Sequence, residues 1–495
     1  MSTTTTRRVT PAELPVELSR LLDDGYRLTL VAAHEDAEAF RVVYLLTAGG
    51  PDRRVELELL TDRSAPQVPS MAVLSFPLGR FEREMRDLYG IVPVDHPLPR
   101  RLVRHAHWPT GWYPMRSDAG APPPFAPEAA YPFVRVEGRG VYEIPVGPIH
   151  AGMIEPGHFR FSVVGETILK LKARLWFTHK GLEKLAEGRT PDEAFPLAER
   201  VSGDTTAGHA AAFALAVEDA LGWRVPERAQ LARAALLELE RLYNHVADIG
   251  ALCNDVGYGV LHTHAQRVRE GLLRLNDEVT GHRLLRGGIV LGGARLVTVP
   301  DVARVARMGD QIAEIVDLAL RNSVVVDRFT GTAALATENA REIGVLGYVG
   351  RASGVDVDAR RDHPFHEATA AVRAAVRTEG DVLARFLVRA EEVRASVELL
   401  GTMLPGLTTG PAVSAPPAAG RRGGASSGVG LVEGWRGTIA HRVEIGPDGR
   451  LTRLKVVDPS FLTWPALPVA LRQTIVADFP VTNKSFNLSY AGNDL

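Results

Sequence analysis

The stretch Pro226-Glu-Arg-Ala-Gln-Leu-Ala-Arg-Ala-Ala-Leu-Leu-Glu-Leu-Glu-Arg-Leu-Tyr-Asn-His-Val-Ala-Asp-Ile-Gly-Ala-Leu-Cys253 decides the reading of the fold. Within it Leu231, Ala235, Leu239, Leu242, Val246, Ile249 and Cys253 recur at spacings of three and four, which sets them on one face of a long helix. Pro226 suits the first turn, where its missing N–H is no loss. Similar patterns run from Val302 to Leu320 and from Ala368 to Leu400. A bundle of long helices is therefore predicted at the centre of the chain. Cys253, in the apolar stripe, reads as a small core residue rather than a reactive thiol.

Working outward, Tyr26 to Ala32, Phe40 to Leu46 and Val55 to Leu60 are short runs rich in Val, Leu and Tyr, bounded by Gly, Asp and Pro. They predict strands. The fold class is α+β: a small N-terminal α/β domain, then a larger, mainly helical domain with a long-helix bundle and short peripheral strands. Ala119 to Glu128, with Pro122, Pro123 and Pro124, reads as a linker. The expected division is a first domain over 1–118, a linker over 119–140 and a second domain over 141–495. Gly, Ala, Ser and Pro dominate Gly410 to Gly430, which predicts a flexible surface loop over 410–430. Near the end, Lys484 to Tyr490 alternates polar and apolar residues, as a half-buried strand does. That strand is expected to pack against the large domain near Ser460 to Trp464, or against a small partner subunit, and to contribute to assembly.

The chain has 495 residues, 45% hydrophobic and 23% charged, enough to bury a sizeable core. Lys+Arg 57 against Asp+Glu 59 gives a formal net charge of -2, which argues against nucleic acid as a partner. A single cysteine excludes a disulfide framework and any Cys-x-x-Cys site, and fits a reducing cytoplasm. Met1 to Arg8 lacks the apolar core of a signal peptide. Apolar runs such as Ala210 to Val217 and Gly287 to Ala294 fall well short of the roughly 20 residues that span a bilayer. Work at a membrane would therefore go through partners. No Gly-x-Gly-x-x-Gly after a strand and no phosphate-loop motif suggests NAD or nucleoside triphosphate. Gly287, Gly288, Gly292 and Gly293 read as close-packing positions.

Phe81-Glu-Arg-Glu-Met-Arg-Asp-Leu-Tyr-Gly-Ile91, followed by Asp95-His-Pro-Leu-Pro-Arg-Arg101, reads physically as a charged helix ending at Gly90 and a Pro-rich turn. It also resembles the signature of the small complex I subunit usually labelled C. From Gly147-Pro-Ile-His150 the chain is similar to the large subunit shared by membrane-bound [NiFe] hydrogenases and complex I, where it carries the label D. The matching pieces are Glu155-Pro-Gly-His-Phe-Arg160, His179-Lys-Gly-Leu-Glu-Lys184, Arg351-Ala-Ser-Gly-Val-Asp356, Arg360-Arg-Asp-His-Pro364 and Asn483-Lys-Ser-Phe-Asn-Leu-Ser-Tyr490. The C-like part fused ahead of the D-like part resembles large subunits of the formate-hydrogenlyase type.

This resemblance implies membership of a membrane-associated, energy-converting complex of the NADH:quinone oxidoreductase or hydrogenase kind. The implied partners are an iron–sulfur small subunit similar to the B subunit of complex I, antiporter-like membrane proteins and a membrane protein similar to the H subunit of complex I. The chain would sit on the inner face of the plasma membrane, held there through those partners. The alternative is a non-catalytic scaffold or assembly subunit of such a complex.

Hydrogenases of this family hold nickel and iron with two Cys-x-x-Cys pairs, because soft thiolates suit that site. Here the first motif reads Arg200-Val-Ser-Gly-Asp-Thr205 and the second is read as Asp458-Pro-Ser-Phe-Leu-Thr463. Ser202, Thr205, Ser460 and Thr463 thus carry hydroxyls where the family has sulfur, so no nickel–iron chemistry is expected. No bound cofactor is expected either, apart from a quinone as candidate acceptor; an iron–sulfur cluster belongs to the partner.

The tyrosine and histidine that hold the quinone headgroup in complex I align with Gly203 and Pro156, which leaves His150, His158 and His209 as candidate substitutes. By position Glu183 matches the family's proton-relaying glutamate, and burial would raise its pKa toward neutrality. The bland reading is a salt bridge with Lys180 or Lys184. Asp204 and Asp458 are further cavity candidates. Arg351, Asp356, Arg360 and Asp362 are read as a structural charge network. An oxygen-ligand site from Ser202, Asp204, Thr205 and Asp458 would hold Mg2+ only weakly.

Overall fold

The structure is a computed structural model that describes residues 4–127, 131, 133–150, 154–417 and 425–495. The N-terminal part forms β1 (Thr4–Val9), α1 (Leu14–Asp23), β2 (Arg27–Glu35), β3 (Ala39–Ala48) and β4 (Arg53–Asp62). The strands make one sheet in the order β1-β4-β3-β2, parallel only between β1 and β4. Leu14, Leu18 and Leu21 bury one stripe of α1. Next comes α2 (Phe76–Tyr89), which ends at Gly90 with φ 74°, a left-handed cap that favours glycine. Its charges are not a solvated face. Glu82 accepts from Ser70 Oγ and the Met71 amide, and Asp87 accepts the amides of Leu102, Val103 and Arg104.

The second part opens with an antiparallel meander, β5 (Val141–Val146), β6 (His158–Val164) and β7 (Thr167–Arg174). The helices that matter here are α3 (Leu182–Ala186), α4 (Thr206–Leu221), α5 (Glu227–Asp255), α6 (Gly259–Thr280), α7 (Val302–Arg321) and α8 (Val382–Met403). A second antiparallel sheet follows, β8 (Ser426–Gly434), β9 (Gly437–Ile445) and β10 (Leu451–Val457), then three short helices, α9 (Pro459–Thr463), α10 (Phe479–Phe486) and α11 (Tyr490–Asp494).

Sheet β8–β10 is sandwiched between the two parts. Val432, Ile439, Val443, Leu454 and Val456 join the helical core, while Val429, Leu431, Ala440 and Val457 join the core of the N-terminal part. Gly428 and Gly430 let β8 lie directly on α4: a Cβ there would sit 2.2 Å from the Ala216 carbonyl and 1.9 Å from that of Ala212. On the opposite face ion pairs tie the sheet to the N-terminal part. Arg442 meets Glu56 at 2.8 Å, Arg41 meets Glu444 at 2.7 Å and Lys455 meets Glu84 at 2.7 Å.

Three expectations need correction. The helix expected over 368–400 is a short turn, Glu367–Ala370, and a separate α8, because Gly380 adopts φ 65° against the Leu335 carbonyl and Asp381 caps the new helix at Ala384 N. The loop expected over 410–430 carries a strand, Gly410–Val413, at one end and the start of β8 at the other; residues 418–424 lie outside the described residues. The strand expected over Lys484 to Tyr490 is the end of α10 and a turn into α11. Val481, Thr482, Ser485 and Phe486 make a buried helical stripe that seven alternating residues also permit.

The tail does pack where expected: Trp464 Nε1 donates to the Ser489 carbonyl at 3.2 Å. A Cβ at Gly288, Gly292 or Gly293 would clash with Thr280, Trp223 or Ala412, as close packing requires, whereas Gly287 is a turn residue with φ 75°.

Candidate functional site

The turn before α4 brings the first motif together. Ser202 Oγ donates to Asp204 Oδ1 at 2.9 Å, and Thr205 Oγ1 donates to the same oxygen at 2.9 Å. Arg436, in the turn between β8 and β9, completes the carboxylate with two parallel bonds of 2.6 and 2.7 Å. Its guanidinium lies 3.9 Å from the Trp435 ring centroid. Trp435 Nε1, Tyr243 OH and Asn244 Nδ2 all donate to the Asp204 carbonyl. Burial works to raise the Asp204 carboxyl, but the charge and hydrogen bonds of Arg436 outweigh it and hold the group down at about 2. The Asp204 side chain is still 38% exposed while Arg436 is enclosed, so solvent reaches one edge of this polar cluster, termed the recess.

The residue that meets Ser202 is Ser489, oxygen to oxygen at 2.8 Å. Ser460 and Thr463, read from the sequence as the second pair, stand one layer behind. Ser460 Oγ accepts from the Ser489 amide at 3.0 Å, and Thr463 Oγ1 accepts from the Leu346 amide at 3.4 Å. Three residues past Ser489 is Gly492, where a Cβ would come within 2.5 Å of the Asp458 carboxylate. The corners of the recess are thus Ser202, Thr205, Ser489 and Gly492, with Asp458 filling the space a side chain at 492 would take. Asp458-Pro-Ser-x-x-Thr463 offered the right spacing, whereas Ser489-x-x-Gly492 has the same spacing but ends on a residue with no hydroxyl to notice.

His209, on α4, is not free for a ligand. Its Nε2 lies 3.1 Å from Asp458 Oδ2 and its Nδ1 lies 3.0 Å from His441 Nε2. Burial tends to raise Asp458, and the His209 bond helps bring it below its ordinary value. Asp458 accepts from His209 Nε2–H, and the other ring nitrogen shares a hydrogen bond with His441 Nε2. Glu240, facing the start of α4, accepts the amides of Ala207 and Gly208 at 2.7 and 2.9 Å. Burial nonetheless pushes it up to about 8. Sequence reading missed Arg436, His441 and Glu240, because a lone arginine in Gly434-Trp-Arg-Gly437 or a glutamate in a helix carries no spacing signal.

Other candidates lie elsewhere. Glu183, on α3, is enclosed by Arg453 at 2.8 Å, Lys455 at 3.2 Å and the Val456 amide. Burial raises its carboxyl, but Arg453 and Lys455 reverse the balance and hold it at about 2, opposite to the expected shift toward neutrality. Lys184 pairs with Glu187 and Lys180 donates to the Thr178 carbonyl, so neither is the partner of Glu183. His150 and His158 staple the loop between β5 and β6: His150 Nε2 bonds the Gly157 carbonyl at 2.8 Å and His158 Nδ1 the Gly147 carbonyl at 3.0 Å.

The four residues read as a charge network are ion-paired, but not with one another. Arg351 meets Glu392 and Glu433, each at 2.7 Å, and Arg360 meets Asp358 at 2.7 Å and Glu238 at 3.2 Å. Asp356 and Asp362 instead pair with Arg361, each at 2.8 Å, because the two inner arginines point away from them into α5 and α8. The oxygen-ligand site is taken up by protein groups, Asp204 by Arg436 and Asp458 by His209.

Comparison with known proteins matches residues 8–124 to the respiratory-chain NADH dehydrogenase 30 Kd subunit, 180–253 to nickel-dependent hydrogenase and 255–422 to the respiratory-chain NADH dehydrogenase 49 Kd subunit. Formate hydrogenlyase subunit 5 of Escherichia coli is 33% identical over 92% of this chain and 82% of its own. The chain belongs to this family of fused, hydrogenase-type large subunits. Hydrogenase-4 component G of Escherichia coli is 31% identical over 92% of this chain and 81% of its own, and the C/D subunit of the NADH-quinone oxidoreductase of Bacteroides thetaiotaomicron 29% over 77% and 76%. One chain in the structure of an archaeal membrane-bound sulfane sulfur reductase superposes with a TM-score of 0.66, at 26% identity, covering 72% of this chain and 99% of that one.

Within this family, the recess does not fit a nickel–iron centre. Its four corner positions offer three hydroxyls and a hydrogen, and neutral alcohols are poor ligands for soft metals. The only thiol, Cys253, is buried in α5, where burial pushes it up to about 12.

Proposed function

We propose that this chain is the large arm subunit of a membrane-associated electron-transfer complex and that it works without nickel–iron chemistry of its own. The observation that carries this reading is the Asp204–Arg436 pair wired to Ser202 and Thr205, with Ser489 closing the recess. A bidentate ion pair here is charge-neutral and supplies fixed dipoles rather than metal ligands. Its partners on this reading are an iron–sulfur small subunit similar to the B subunit of complex I, and membrane proteins of the antiporter-like kind and of the kind of the H subunit of complex I. No helix among the described residues is long and apolar enough to cross a membrane, which is consistent with attachment through such partners. Ile149 and Val73, 93% and 84% exposed, supply apolar surface that partners would cover.

The recess would receive a small acceptor, with a quinone as the candidate. His209 spends both ring nitrogens on the protein and His150 and His158 one each, and on this reading the Asp204 carboxylate and the neighbouring hydroxyls are the groups offered to an acceptor. The exposure of Asp204 favours a working recess over a scaffold with a sealed apolar void. The test is turnover by the purified native complex. Reduction of a soluble quinone analogue, lost in Asp204→Asn with the complex still assembled and no hydrogen evolved from reduced viologen, supports the reading. Hydrogen evolution, or full quinone reduction by Asp204→Asn, contradicts it.

A further inference from the structure

Helix α2 and the chain that follows it concentrate arginines on one surface. Arg80, Arg83 and Arg86 succeed one another along the helix, about 9 Å from first to last at about 1.5 Å per residue, and Arg100 and Arg101 lie in the turn beside them. Guanidiniums stitch that turn to the helix. Arg83 Nε donates to the Arg100 carbonyl at 2.8 Å and its Nη2 to that of Arg101 at 3.1 Å, while Arg86 Nη1 donates to the Pro99 carbonyl. Arg174, at the end of β7, donates to the Leu102 and Val103 carbonyls. Such acceptors fix the side chains but leave their charge standing, because a carbonyl carries no net charge.

Among the described residues, no arginine of this group makes an ion pair. The acids on α2 are spent elsewhere: Glu84 is taken by Lys455 at 2.7 Å, and Asp87 by the amides of Leu102, Val103 and Arg104. Arg80 is the extreme case. It is buried against the rings of Phe461 and Trp176, 4.7 and 5.8 Å from its guanidinium, and its Nε and Nη2 meet no acceptor. Burial, reinforced by Arg83, pushes it down to about 9. Burial lowers Arg83 too; Tyr131 and Asp87 oppose the shift, and Arg100 and Arg86 add to it. Arg83, Arg86 and Arg101 are half-buried and Arg100 is exposed, so the unneutralised charge reaches the surface.

We propose that this arginine surface docks an acidic segment of a partner protein, whose carboxylates pair with Arg83, Arg86, Arg100 and Arg101 and supply the counter-charge that Arg80 lacks. Guanidiniums already held in place lose little freedom when they pair with a carboxylate. Phe76, one turn before Arg80, and Leu98, beside Pro99, are exposed and supply the apolar contacts of a protein interface. The chain's net charge of -2 gives no wider positive field of the kind that a nucleic acid follows.

The experiment uses the full chain and four probes: a labelled peptide of Glu, Leu and Gly, the same peptide with Lys for Glu, a single-stranded oligothymidylate and vesicles of phosphatidylglycerol. Fluorescence anisotropy should show that the Glu peptide binds, less tightly as salt rises, and that the Lys peptide does not. Arg100→Glu, at an exposed side chain, should weaken the Glu peptide by roughly fivefold or more, and Arg100→Lys far less. Arg80→Met removes an unpaired buried cation, so the free chain should keep or raise its thermal midpoint while its hold on the Glu peptide weakens. No binding of the Glu peptide, equal binding of both peptides, indifference to Arg100→Glu, tighter binding of the oligothymidylate or the vesicles, or a lowered midpoint in Arg80→Met would each overturn the proposal. None of these readouts involves electron transfer, so the arginine surface and the proposed activity stand or fall separately.

Discussion

Replacing Arg436 with leucine removes the two bonds to Asp204, a third to the Asn487 carbonyl at 2.6 Å, and the stack on Trp435. Breaking one partner out of a buried ion pair costs about 3–5 kcal/mol. The Asp204 side chain is 38% exposed, so water takes over part of the lost solvation and about 2–3 kcal/mol is the discounted figure. In a chain of 495 residues, at about 2.1 cal/mol/K of unfolding entropy per residue, that lowers the thermal midpoint by roughly 2–3 °C.

The pH dependence follows from the depressed carboxyl. Asp204 sits at about 2 when folded, against about 3.9 unfolded, so the pair stabilises fully above about pH 4 and is lost as pH falls toward 2. Differential scanning calorimetry of wild type, Arg436→Leu, Asp204→Asn and the double variant at several pH values checks this. The gap should be full at neutral pH and shrink in acid, and the double variant should cost less than the sum of the singles. An unchanged midpoint in Arg436→Leu, or strict additivity, would refute the pairing as the organiser of the recess.

Two further outcomes are expected. Glu240, raised to about 8 by burial against about 4.3 unfolded, stabilises the fold most while protonated and loses that contribution as pH rises toward 8. Glu240→Gln, neutral throughout, should flatten the fall in thermal midpoint between about pH 5 and pH 8, and an unaltered slope would show that Glu240 is ionised in the fold. Deleting Asn483 to Leu495 takes away Ser485, which accepts from Arg385 at 2.9 Å and Arg389 at 2.7 Å, and Asn487, which accepts from Arg436. Three buried guanidiniums lose partners, so affinity purification should recover no complex, while the sheet β1–β4 keeps its resistance to proteolysis; intact assembly would show the tail to be dispensable.

The long helix over Glu227–Asp255 was legible because seven apolar residues keep step for two dozen positions, and β2, β3 and β4 because each run is bounded by turn residues. β1 was not, since Thr4–Val9 is polar and gains its strand from pairing with β4, a partner some fifty residues away in sequence. Helix α5 also hides a second buried face: Arg233, Glu238, Arg241 and His245 are enclosed, which an amphipathic reading assigns to solvent. Such burial depends on partners that arrive from elsewhere in the chain, Glu218 to Arg233, Arg360 to Glu238 and Glu392 to Arg241 and His245, which local spacing does not encode. The recess shows the same limit. Ser202, Asp204 and Thr205 were visible as a motif, but Ser489 and Arg436 reach them only through the fold.

An ion-pair centre in this recess, in place of a metal site, is checked by elemental analysis of the purified native complex by mass spectrometry. With no thiolate at Ser202, Thr205, Ser489 or Gly492, nickel should be far below stoichiometric, both as isolated and after growth in nickel-supplemented medium. About one nickel per chain, lost on Asp204→Asn, would show that the recess holds a metal.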